Sequence, residues 1–138
     1  MSAAGVVTQV IPYIFYKDVP VALAWLAKAF DFVEVLRVGT PNGGIHGEML
    51  FDGQRIMMGQ GNSAWHMASP SATNHIATQG IFVYLGDVDA HYARALEAGA
   101  EIVDPPRDLS YGRSYTARDL EGHPWFFTQP PADNPVIS

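Results

Sequence analysis

The chain has 138 residues, 48% of them hydrophobic and 16% charged, which fits one globular domain with a real core and leaves no room for two independent ones. It contains no cysteine, so disulfides, thiolate nucleophiles and sulfur-ligated zinc are removed. Eight basic against fourteen acidic residues give a net charge of −6 with no Lys or Arg cluster, so nucleic-acid binding is not expected, and a partner selected by charge is cationic or neutral.

No apolar run approaches the roughly 18 residues that a helical membrane span needs, so no membrane association is expected. The opening MSAAGVVTQV has neither a basic start nor a signal-type apolar core, and a cytoplasmic protein is expected. Residues 1–7 carry no pattern and are expected to fray. Thr8 to Tyr16 is rich in β-branched and aromatic residues and predicts a strand, with Pro12 imposing an edge or irregular start. Asp18 offers an N-cap, and a helix to about Phe30 would present Val19, Leu23, Leu26, Ala27 and Phe30 on one face. Strands follow over Phe32–Val38, Ile45–Phe51 and Arg55–Met58, separated by the turns Pro41-Asn42-Gly43-Gly44 and Asp52-Gly53. Residues 59–79 are small, polar and aperiodic, a linker or a functional loop, in which Trp65-His66 is a lid or an anchor.

The same order then restarts. It predicts a strand over Gly80–Leu85, a helix from Val88 to about Ala98, and strands over Glu101–Val103, Ser114–Arg118 and Pro124–Thr128, with DPPRDLSYG as a loop. A gapless shift of 69 residues carries Asp18 onto Asp87, Gly43 onto Gly112, Gly53 onto Gly122, and the first helix face onto Val88, Tyr92, Ala95, Leu96 and Gly99. Turn glycines, helix cap and helix face agree on one offset, which points to two copies of one unit. Gly99 suits a left-handed helix end, whereas Phe30 stands at the equivalent place and its helix must end differently.

The run Asp87-Val88-Asp89-Ala90, Ala98-Gly99-Ala100, Tyr111-Gly112-Arg113 and the closing stretch Asp119–Phe127, DLEGHPWFF, resembles the vicinal oxygen chelate superfamily, in particular its glyoxalase/bleomycin resistance protein/dioxygenase branch, with Leu120 where the family usually has proline. That resemblance implies an α+β fold of two tandem βαβββ modules whose curved mixed sheets enclose a cavity. It gives a single glyoxalase-like domain over 8–129, made of module 8–59 and module 80–129 joined by loop 60–79, with a loose tail at 130–138. It also implies a homodimer. Metal-dependent relatives take ligands from the first and last strand of each module; these positions fall on Ile11, Met57, Gly80 and Phe126, none a plausible ligand, so neither a metal nor any other cofactor is expected.

Strand parity divides the two first strands. Pro12, Ile14 and Tyr16, with Ile81, Val83 and Leu85, suit packing under a helix; Ile11, Tyr13 and Phe15, with Gly80, Phe82 and Tyr84, share the side of the family's ligand positions and should face the cavity. Phe15 and Tyr84 equally suit a filled core. His46 and Glu48 lie on one face of a strand and are either a solvated pair, a ligand-orienting pair or weak catalytic candidates. His123 should fix its turn, and Trp125 belongs to the core. Gly59-Gln60-Gly61 is a poor phosphate loop, and no G-x-S-x-G nucleophile elbow occurs.

The candidate ligand-binding residues are therefore Tyr13, Phe15, His46, Glu48, Met57, Trp65, Phe82, Tyr84 and Phe126. The first functional reading is metal-independent binding or sequestration of a small hydrophobic or cationic aromatic molecule, resembling bleomycin resistance proteins. The alternative is an enzyme, a glyoxalase-type lyase or isomerase or a dioxygenase with an unconventional or absent metal site. A chain that contributes only a dimer surface is a third.

Overall fold

The computed structural model describes residues 5–132. The first module comprises β1 (Tyr13–Phe15), α1 (Val19–Phe30), β2 (Val33–Gly39), β3 (Ile45–Phe51) and β4 (Gln54–Gly59); the second comprises β5 (Ile81–Tyr84), α2 (Val88–Glu97), β6 (Glu101–Leu109), β7 (Gly112–Arg118) and β8 (Pro124–Gln129). They form two four-stranded mixed sheets in the orders β1-β4-β3-β2 and β5-β8-β7-β6, an α+β architecture with no closed barrel. The connecting loop carries two short 3-10 turns, Ser63–Trp65 and Pro70–Ala72, capped by Asn62 and Ser69. Of the tail expected over 130–138, residues 133–138 lie outside the described residues, as do 1–4 of the segment expected to fray.

Local chemistry sets the helices. Asp18 and Asp87 are N-caps, accepting from the Val21 and Ala90 amides at 3.1 Å each. The two helices end differently: Gly99 takes φ 91°, while Asp31 enters the left-handed region at φ 68° and its amide bonds the Leu26 carbonyl. α1 buries Val19, Ala22, Leu23, Leu26, Ala29 and Phe30. α2 departs from expectation. It buries Val88, His91 and Ala95, while Leu96 is 51% exposed. The face is rotated because His91 finds partners in the core: its Nδ1 meets the Tyr115 hydroxyl at 2.6 Å and its Nε2 the Phe30 carbonyl at 2.9 Å.

Two strands also differ from their expected extents. β1 covers three residues rather than nine, since Pro12 has no amide to give, although its carbonyl still accepts from Met57 N. β6 runs through Pro105 and Pro106 to Leu109, where a loop was expected. It lies at the sheet edge, and its register shifts between Ile102 and Asp104 and again between Asp104 and Arg107, so neither proline interrupts a needed ladder bond.

The duplication appears in the register. β1 sets Tyr13, Ile14 and Phe15 opposite Met57, Met58 and Gly59, and β5 sets Phe82, Val83 and Tyr84 opposite Phe126, Phe127 and Thr128, each residue shifted by 69. β3 and β7 break the gapless offset by one residue. Glu48 lies opposite Met57, but Thr116 rather than Ala117 lies opposite Phe126. The turns differ: Asp52-Gly53 closes β3 and β4, whereas residues 119–123 separate β7 from β8. Gly44, not Gly43, is thus the structural counterpart of Gly112.

The modules dock through their helices and share one core, in which Phe30 of α1 stacks with His91 of α2 and meets Phe127 of β8 at 4.8 Å. Arg94 reaches from α2 to the Lys28 and Ala27 carbonyls at 2.9 and 3.1 Å, capping α1. Burial lowers the pKa of His91 below its ordinary value, against the pull of the Phe30 carbonyl and Asp31. A depressed folded-state pKa means that the unfolded chain binds the proton first. The stabilisation from neutral His91 is complete above about pH 6.5 and is lost as pH falls through the folded value. Melting temperature should therefore decline from about pH 8 to about pH 5, and His91→Gln should be less stable at the high end yet show a shallower decline.

Candidate functional site

Each sheet packs one face on its helix and leaves the other open. On the first sheet Ile14, Met49 and Met58 are buried beneath α1. Tyr13, 42% exposed, and the half-buried His46, Glu48, Arg55 and Met57 occupy the alternate, open face. On the second sheet Tyr115, Ala117, Trp125 and Phe127 are buried, while Phe82 and Tyr84 are each 46% exposed and Phe126 is half-buried. The core side of the parity expected of the two first strands holds: Ile14 and Tyr16 are core and Ile81, Val83 and Leu85 pack against it, whereas Tyr13, Phe82 and Tyr84 are exposed; of these three only Tyr13 lines a hollow beside β1.

The open face of the first sheet carries a hydrogen-bonded chain. The Tyr13 hydroxyl lies 3.0 Å from His46 Nδ1, His46 Nε2 lies 2.8 Å from Glu48 Oε2, and Arg55 Nη1 donates to Glu48 Oε1 at 2.5 Å. A carboxylate only accepts, so Nε2 carries the hydrogen; in the neutral ring Nδ1 is then the acceptor and Tyr13 donates to it. The hydrogen bond from His46 holds Glu48 below the usual carboxylate range despite its desolvation, with Arg55 adding to the effect. Desolvation, and then the Glu48 charge, raise the Tyr13 pKa. The geometry depends on Gly59, because a Cβ there would stand 2.5 Å from the Tyr13 hydroxyl oxygen. Arg55 is the member that the sequence did not announce, although it stands two residues before Met57 on the same strand face.

The second sheet's open face is an aromatic platform. Phe82 and Phe126 stack at 6.3 Å, Phe82 meets Tyr84 edge-on at 5.0 Å, and Tyr111 lies 6.3 Å from Phe82. Among the described residues no ring of this platform touches Tyr13 or Phe15, so the two sets of candidate residues lie on separate sheets. Two hollows adjoin β1. One, of about 710 Å³, runs between β1, the connecting loop and the start of β5, with Tyr13, Phe15, His66, Ile76 and Gly80 on its walls. The other, of about 430 Å³, includes Tyr13, Phe15, Gly59 and Trp65. Trp65 is 72% exposed and joins the candidate site only at the rim of this second hollow.

The turn 119–123 does more than close a hairpin. Asp119 accepts from the Tyr16 hydroxyl at 2.5 Å, Trp125 Nε1 at 3.0 Å, and the Glu121 and His123 amides. Glu121 accepts from the Lys17 and Asp18 amides at 2.6 and 3.0 Å, and His123 Nε2 meets the Phe15 carbonyl at 2.6 Å. Burial works to raise the Glu121 carboxyl, but the hydrogen bonds from Ser69, Lys17, Asp18 and Ser71 outweigh it and hold its pKa low. The turn thereby fixes the end of β1, and with it Tyr13, from the other module.

The profile of the Glyoxalase/Bleomycin resistance protein/Dioxygenase superfamily matches residues 6–127. The chain belongs to this superfamily. Among superfamily-fold structures, TioX from Micromonospora sp. ML1 is 30% identical with a TM-score of 0.68, over 95% of this chain and all (100%) of that one. TnmS3 from Streptomyces sp. CB03234, described as an antibiotic binding protein, shares the fold at a TM-score of 0.74 and 19% identity, over 92% and 98% of the chains. FosX from Listeria monocytogenes, a fosfomycin resistance protein, shares it at 0.68 and 17%, over 93% and 97%. The uncharacterized protein Rv0887c of Mycobacterium tuberculosis is 31% identical over 130 residues, 86% of this chain and 72% of that protein.

A metal of the kind that some superfamily members use does not fit the positions where the resemblance places its ligands. Ile11, Met57 and Phe126 offer no imidazole or carboxylate, and a Cβ on Gly80 would stand 2.6 Å from the Phe126 ring, so that ring fills the place of a side chain at 80. Among the described residues no group of three or more His, Asp or Glu side chains could hold a metal ion, and no helix is long and apolar enough to cross a membrane.

Proposed function

We propose that this chain binds and sequesters a small hydrophobic or cationic aromatic molecule without a metal ion, as a cytoplasmic homodimer. The observation that carries the reading is the Phe82–Tyr84–Phe126 platform, with Phe82 and Tyr84 exposed and Phe126 half-buried, on the face where metal-dependent relatives would place ligands. Aromatic faces left open to water gain by stacking on a planar ligand. The net charge of −6 favours a cation at long range. A second copy supports closure of the site: Val33, Val35, Leu36 and Val38 of β2 are also exposed, and docking one chain's first sheet over the other's second would cover them and bring Tyr13 opposite the platform. The antibiotic-binding description of TnmS3, a protein of the same fold, agrees with this reading.

The test is thermal shift followed by calorimetry, with a bleomycin-type glycopeptide and planar aromatic cations such as acridine orange as probes. A binding probe at about a hundred times its Kd should stabilise the fold by about 2.7 kcal/mol. Phe82→Ala and Phe126→Ala should each weaken binding while leaving the fold intact. No response to any probe would overturn the proposal. The Tyr13–His46–Glu48–Arg55 chain favours one second reading, an enzyme of lyase or isomerase type using His46 and Glu48. Stoichiometric nickel, zinc, manganese or iron in protein purified without chelator, abolished by Glu48→Ala, would replace the first reading with a metalloenzyme.

A further inference from the structure

We propose that the Tyr13–His46–Glu48 chain recognises a weakly acidic hydroxyl, a phenol or an enol, on the bound molecule and holds it as the anion. The inference rests on the reading that these faces bind an aromatic molecule and names the functional group that such a molecule presents. Tyr13 lines both hollows beside β1, whereas His46 lines neither and its side chain is 21% exposed. A ligand therefore meets Tyr13, and the basic nitrogen stands one hydrogen bond behind it.

The proton count is simple. The ligand O–H donates to Tyr13 Oη. On ionisation that proton passes to Tyr13 Oη while the Tyr13 proton moves to His46 Nδ1, so the products are a ligand oxyanion, an intact Tyr13 phenol donating to it, and an imidazolium. Glu48 is the positioning residue: its Oε2 holds the Nε2 hydrogen at 2.8 Å, fixes the tautomer that leaves Nδ1 free to accept, and offsets the charge that forms. Arg55 occupies the other carboxylate oxygen at 2.5 Å and keeps Glu48 an anion. The neighbouring strand adds no charge here, since β2 sets Leu36 opposite Glu48 and Val38 opposite His46, and β4 contributes Met57 and Gly59. Among the described residues, the charged side chains paired with His46 and Glu48 are members of the chain itself. An alcohol is too weak an acid for this exchange and a carboxylic acid is already ionised, so the site selects hydroxyls between them in acidity.

The probe is 4-nitrophenol, whose phenolate absorbs visibly, with 4-nitroanisole as the isostere that has no proton to give. With the full-length protein, titrated below the probe's own pKa, bound nitrophenol should gain phenolate by roughly tenfold, the effect expected of a cation formed about 4–6 Å away. His46→Gln and Glu48→Gln, read at saturating nitrophenol, should leave the bound probe neutral, because the acceptor or the residue that positions it is gone. Gly59→Ala, whose Cβ displaces only the tip of Tyr13, should fold normally and also lose the phenolate signal. Nitrophenol that binds but stays neutral, or that ionises equally in His46→Gln, overturns this inference and leaves the binding reading standing. Failure of nitrophenol and nitroanisole to bind, with acridine orange still binding, likewise overturns this inference alone; failure of every probe overturns both.

Discussion

Asp119→Ala should destabilise the protein by about 3–5 kcal/mol, the range expected when one partner of a buried, charged hydrogen-bond network is removed. Asp119 is 5% exposed and serves four donors, two of them the side chains of Tyr16 and Trp125, which are both completely buried. Truncation strands the Tyr16 hydroxyl and the Trp125 indole N–H together, both at fully buried side chains. Asp119→Asn should lose less, since the amide oxygen can keep part of the set. Tyr16→Phe should lose only about 1–2 kcal/mol, because it removes a donor and leaves a carboxylate that is still well solvated by the other three. Urea unfolding at one fixed protein concentration gives all three values. An Asp119→Ala loss no larger than that of Tyr16→Phe would show that the turn does not hold the modules together.

Phe30→Ala should cost a similar amount, about 3–5 kcal/mol, for a different reason. Its ring is fully buried and lies within 6.0 Å, centroid to centroid, of Trp25, Phe32, His91, Trp125 and Phe127. These neighbours come from both modules and are themselves held by their backbones, so the cavity cannot collapse. Phe30→Leu should lose markedly less by filling most of the volume. Equilibrium unfolding of the two variants measures the difference, and equal losses would mean that the ring geometry, rather than the filled space, is what stabilises the junction.

Phe30 also shows where the amino-acid sequence was legible and where it was not. Its place on the apolar stripe of α1 follows from helical spacing, as the caps at Asp18 and Asp87 follow from short-range chemistry. His91 could not be anticipated, because the groups that make its burial tolerable, the Phe30 carbonyl and the Tyr115 hydroxyl, lie 61 and 24 residues away. The same distance hides the second role of the turn at 119–123, whose partners at Lys17 and Asp18 are 104 and 103 residues off. Pro105 and Pro106 predicted a loop on a rule that holds for inner strands, and an edge strand escapes it. Within the candidate site, parity grouped Tyr13 and Phe15 with Phe82 and Tyr84, and put His46 and Glu48 on one face of their strand. It could not show that Tyr13, His46 and Glu48 are linked to one another and to Arg55, since register between strands decides that.

The single-residue slip between β3 and β7 bears on what shape of molecule the protein can hold. With β1 and β4 matched to β5 and β8 at 69 residues, and β3 to β7 at one fewer, Tyr13, His46, Glu48 and Arg55 correspond to Phe82, Ser114, Thr116 and Pro124. Each of these four groups has a counterpart without charge on the second sheet, although Asp104 and Arg107 of β6 stand beside Thr116 and Ser114 there. The duplicated strands share one register apart from that slip, but at these four positions their side chains differ in kind. In the proposed binding mode, a guest held between the Tyr13–His46–Glu48–Arg55 chain and the Phe82–Phe126 rings would be oriented rather than merely enclosed, with its hydrophilic edge toward the first and its flat hydrocarbon face toward the second.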